Sequence, residues 1–95
     1  MDKNRLLVQQ MLSEQFGMPL HTDPVDFVNH LAIEINALIL HDFPKLVNIL
    51  YRIDIDESKL KETLAHYIHD DAGYIIAQLV IERQLEKLKT RESFK

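Results

Sequence analysis

Turn-forming residues are scarce in this chain: two glycines and three prolines stand among 95 residues. A β-sandwich or barrel needs a turn signal every ~8–12 residues, and glycine and proline are its main punctuation. Apolar residues recur instead at three- and four-residue spacing, the signature of helices with one face in a core. The pattern predicts an all-α fold, a compact bundle of about five helices over 3–16, 24–40, 43–53, 57–68 and 71–91. Residues 1–95 read as one domain, since a chain this short supports a single core.

The helix boundaries follow from local chemistry. Leu6, Leu7, Val8, Met11, Leu12 and Phe16 mark the first helix, Gly17 suits a left-handed terminus, and Pro19 prevents resumption. Asp23 is an N-cap for the second helix, with Pro24 in the first helical position and Asp26 favourable in the first turn. At about 100° per residue, Phe27, Val28, Leu31, Ile35, Leu38 and Ile39 share one face of that helix. Ile33, Ala37 and Leu40 fall nearly opposite, so the helix is apolar on two sides.

Asp42 and Pro44 start a third helix whose stripe is Leu46, Val47, Ile49, Leu50 and Ile53, and Asp56 caps a fourth. There Leu60, Leu64, Tyr67 and Ile68 are expected to face inward. Asp70 and Asp71 are expected to cap the fifth helix, with Gly73 a weak point if the fourth and fifth run together. The fifth helix is apolar nearly all round over Tyr74–Ile81 and is expected to be central to the core. Positions 74, 78, 81, 85 and 88 alternate steps of four and three, a coiled-coil spacing spoiled at Gln78. Leu31, Ile35, Leu50, Leu64, Ile76 and Leu79 are the expected core.

Charge and composition exclude several function classes. The net charge is −4, with an acidic stretch over 54–71 and a basic one over 83–95. A basic tail on an acidic domain is not the clustered cationic face of a nucleic-acid module. With no cysteine, disulfides, thiol catalysis and cysteine-ligated zinc are ruled out. The N-terminal residues do not form a signal peptide, and no apolar run approaches the ~20 residues of a membrane span. A cytoplasmic location is expected.

Histidines and carboxylates raise an alternative, a metal- or small-ligand-binding bundle using His30, Glu34, Glu62 and His66. His30 with Glu34 and Glu62 with His66 have helical i,i+4 spacing, and imidazole plus carboxylate on one face can ligate zinc or iron. The inward Glu-x-x-His pairs of di-metal bundles are absent, and helical phase turns Glu62, His66 and His69 toward solvent. The leading reading therefore assigns no metal and no cofactor.

Asp54-x-Asp56-x-Ser58 opens like a calcium loop, but Lys59 and Ala65 stand where that loop needs glycine and glutamate. His41-Asp42 could form an oriented base, yet Ser13, Ser58 and Ser93 lie in no nucleophile motif. The isolated glycines form no phosphate loop. No catalytic residue is assigned, and the chain reads as a non-enzyme.

HDFPKLVNILYRIDIDE over 41–57 and AGYIIAQLVIERQLEKLKTR over 72–91 resemble small uncharacterised helical proteins of bacteria. That resemblance implies a compact all-helical fold in a bacterial cytoplasm and attaches no activity, cofactor or catalytic residue.

The expected function is binding protein, either a second copy of the chain or another partner, with no nucleic acid or membrane involved. The doubly apolar second helix and the apolar load of the fifth motivate it. Ile33, Ala37, Leu40, Ile81, Leu85 and Leu88 are the candidate interface residues, and a two-fold dimer could bring basic 83–91 toward acidic 54–71 of its partner.

Overall fold

The computed structural model describes residues 3–66 and 70–93, with the side chains of 70, 71 and 90–93 not described. It contains five helices: α1 Lys3–Phe16, α2 Pro24–His41, α3 Phe43–Ile53, α4 Glu57–His66 and α5 Asp70–Ser93. The described residues hold no strand. The radius of gyration is 13.1 Å, close to the ~12 Å of a compact chain of this length.

The boundaries between α1, α2 and α3 have local causes. Gly17 closes α1 at φ 63°. Its N–H donates to the Glu14 carbonyl and that of Met18 to the Ser13 carbonyl, the paired bonds of a Schellman ending. Asp23 starts α2 by accepting from the N–H groups of Val25 and Asp26 at 2.8 and 3.3 Å. Asp42 both ends α2, donating to the Leu38 carbonyl, and starts α3, accepting from the Lys45 N–H. Asp54 ends α3 in the left-handed region at φ 69°, with Ile55 donating to the Leu50 carbonyl. Aspartate tolerates that conformation better than a branched residue.

The core is built on the α2–α5 pair. Phe27, Leu31 and Ile35 of α2 meet Ile76, Ala77, Val80 and Ile81 of α5 in one cluster. α1 adds Val8, Leu12 and Phe16, and α3 adds Leu46, Ile49, Leu50 and Ile53. α5 lies close to α2 at Gly73, where a Cβ would run into the Asn36 side chain and sit 2.6 Å from the Ala32 carbonyl oxygen. Gly73 is thus a packing position inside α5, not a break between helices. The junction of the fourth and fifth helices, with Tyr67, Ile68 and His69, lies outside the described residues.

Of the expected core, Leu31, Ile35, Leu50 and Ile76 are buried, whereas Leu64 and Leu79 are only half-buried. Leu79 borders the groove between α4 and α5 beside Lys59, Thr63 and Ile75. The short α4 covers α5 incompletely there. α5 turns Ala72, Ile76, Val80 and Ile81 inward and leaves Tyr74 and Gln78 outward, so the expected 74/78/81/85/88 seam is not one face against one partner.

Candidate functional site

The outer side of α2 carries a row of aliphatic side chains that none of the described residues covers. Ile33 is 65% exposed and Leu40 77%, while Phe27, Leu31 and Ile35 opposite them are fully buried. Ala37 lies between them and is also exposed. Val25, at 67%, extends the apolar surface toward the N-terminal end of α2. Beyond the Asp42 corner, Phe43, Val47 and Tyr51 recur every four residues on the exposed side of α3, with Tyr51 84% exposed. Single exposed apolar residues are ordinary, but these fall in rows on two consecutive helices.

The remaining candidate interface residues are placed differently. Ile81 is 4% exposed and belongs to the core of its own chain, so it is not available to a partner. Leu85 and Leu88 are half-buried against that core. α5 is apolar on so many sides that spacing could not choose its inward phase. The candidate surface is therefore the α2–α3 face, with Leu85 and Leu88 contributing at most their outer edges.

The charged regions also meet within the chain. Arg83 Nη2 donates to the Asp54 carboxylate at 2.9 Å, and Nη1 to Glu86 at 3.2 Å. The Asp54 bond, foremost, raises the Arg83 pKa above its usual value. This acidic–basic pair lies within one chain and ties the end of α3 to α5.

The metal candidates separate. His30 Nε2 lies 3.5 Å from the Glu34 carboxylate on α2. On α4, His66 Nδ1 donates to the main-chain carbonyl of Glu62 at 3.0 Å. The two pairs do not join: among the described residues, no group of three or more His, Cys, Asp or Glu is placed to hold one ion. Spacing missed His21, in the segment before α2, whose Nε2 lies 2.7 Å from His30 Nδ1. The contact crosses from a loop to a helix, so no periodicity announces it.

The other motifs have structural uses. Asp56 Oδ1 accepts from the Ser58 N–H at 2.9 Å and from the Ser58 hydroxyl at 3.0 Å, as a helix cap does. Those bonds, the main-chain one first, lower the Asp56 pKa below 3.8. Asp42 of the His41-Asp42 pair is turned to its capping bond with Lys45. No helix of the described residues is long and apolar enough to cross a membrane. Comparison of the chain with protein-family models, curated proteins and solved structures finds no match.

Proposed function

We propose that this chain is a non-enzymatic binding protein that associates with a second copy of itself through the outer face of α2 and α3. The observation carrying the proposal is the opposition of faces on α2. Phe27, Leu31 and Ile35 satisfy the core, yet Ile33 and Leu40 stay largely exposed. Burying a large aliphatic side chain contributes roughly 1.5–3 kcal/mol, so several in a row favour a covering chain. A self-complementary row on an antiparallel helix pair is the simplest two-fold interface, each residue meeting its own face on the partner. The row itself carries no charge at Ile33, Ala37 and Leu40.

Light scattering coupled to gel filtration at micromolar concentration tests it. The expected mass is about 22 kDa, twice the 11.2 kDa of one chain. The double substitution Ile33→Glu with Leu40→Glu is expected to return it to the mass of one chain without loss of helicity. A wild-type mass of 11.2 kDa throughout would remove the proposal.

A further inference from the structure

We propose that His21 and His30 form a two-histidine site for a divalent transition metal of the zinc class, with Glu34 orienting His30 from behind. His21 Nε2 and His30 Nδ1 face each other at 2.7 Å across the boundary between the loop and α2. Their ring centroids are 4.8 Å apart and the planes are inclined by 59°, so the rings are not stacked and the facing nitrogens dominate the contact. The opposite nitrogen of His30, Nε2, lies 3.5 Å from the Glu34 carboxylate one turn along α2. A carboxylate behind one ring nitrogen, with the other nitrogen presented forward, is how metal-binding histidines are commonly held.

The loop side is positioned as well. Gln9, 1% exposed within α1, donates through Nε2 to the main-chain carbonyl of His21 at 2.6 Å. His21 therefore sits on an anchored segment, and both rings are half-buried with an approach from solvent. Two imidazoles sharing a tetrahedral ion at ~2.0–2.1 Å have nitrogens about 3.3 Å apart, so the rings need to part by roughly half an ångström. On binding, the proton on Nε2 of His21 moves to Nδ1 of the same ring, and both facing lone pairs turn to the ion. Imidazole pairs suit zinc, copper and nickel rather than calcium or magnesium. Water fills the other coordination positions, because Glu34 lies on the far side of the His30 ring and orients without ligating. The site does not depend on self-association.

Isothermal titration of zinc chloride into the untagged full chain, with a thermal melt beside it, tests the proposal. We expect saturable binding and a raised melting temperature, since an ion that binds only the folded chain stabilises it. His21→Ala and His30→Ala are each expected to weaken binding at least tenfold, and Glu34→Ala by about 10–100-fold. His66→Ala, on the other helix pair, is expected to leave the affinity unchanged. Circular dichroism establishes that each variant is folded. Absence of binding by the wild-type chain, or unchanged affinity in His21→Ala, would show a proton-shared histidine pair only and overturn the site.

Discussion

Arg83, in the middle of α5, holds Asp54 at the end of α3 by two bonds. Nη2 meets the carboxylate at 2.9 Å and Nε meets the main-chain carbonyl at 3.3 Å. Asp54 is the only non-glycine residue with positive φ among the described residues. The same residue thus turns the chain out of α3 and ties the turn to the longest helix.

The left-handed backbone at Asp54 sets the first expectation. Asp54→Val places a β-branched side chain at φ 69° and is expected to destabilise by about 1–2 kcal/mol. Asp54→Gly removes the steric cost but also the exposed ion pair, two small effects of opposite sign. Its stability is expected to lie within about 0.5 kcal/mol of wild type. Urea unfolding of both variants checks this, and equal losses would show that the Arg83 pair, not the turn, matters.

A second expectation concerns acid. The Asp56 carboxylate is held below its usual pKa by the Ser58 bonds. A lowered pKa in the folded state means stabilisation present above the unfolded value of 3.8 and lost as pH falls through the folded value. Asp56→Asn should therefore melt lower than wild type at neutral pH, with the gap closing as the solution becomes more acid than that window. A gap independent of pH would show that the cap does not act through its charge.

These two residues also show what the sequence made legible. Asp56 and Asp23 were readable as caps because capping is local: an acceptor immediately before a helix meets N–H groups two or three residues on. Asp54 looked like part of the same polar connection, and its left-handed turn follows from the paired bonds that end α3. The ends of α1, α2 and α3 were legible for this reason, and the fold class from the scarcity of turn residues and the helical spacing. The inward phase of α5 was not, since Ile75, Ile76, Leu79, Val80 and Ile81 surround its axis and the helices packed around it, α2 foremost, decide among them. Buried Gln9 and Gln84 break the apolar pattern outright. The Gln9 bond to the His21 carbonyl spans 12 residues, beyond any helical spacing. At the candidate surface, the second apolar face of α2 was legible in full, while Ile81 was misplaced with the phase of α5.

A third expectation separates full from partial burial. Leu31→Ala and Ile35→Ala remove side chains with no exposure and are expected to cost about 2–5 kcal/mol each. Leu64→Ala and Leu79→Ala, at half-buried positions, should cost roughly half as much, because less area is lost and solvent fills the space. Chemical unfolding of the four variants ranks them, and equal costs would place Leu64 and Leu79 in the core after all.

The last expectation is at Gly73, where helix propensity and packing oppose each other. Alanine in the interior of α5 gains about 1 kcal/mol of propensity over glycine. Its Cβ, however, would meet the Asn36 side chain and approach the Ala32 carbonyl oxygen to 2.6 Å. The main-chain carbonyl of Ala32 within α2 moves only with its helix. Relief therefore requires α5 to withdraw from α2, loosening the contact between Ile76 and Ala77 on one side and Leu31 and Ile35 on the other. Overpacking of this kind costs typically about 1–3 kcal/mol, which outweighs the gain. Gly73→Ala is expected to lower stability by up to about 2 kcal/mol net, and Gly73→Val by more, because its branched side chain adds volume at the same point. Thermal melts of both variants measure it. A stabilised Gly73→Ala would mean that propensity wins and that α5 does not approach α2 as closely as Gly73 allows.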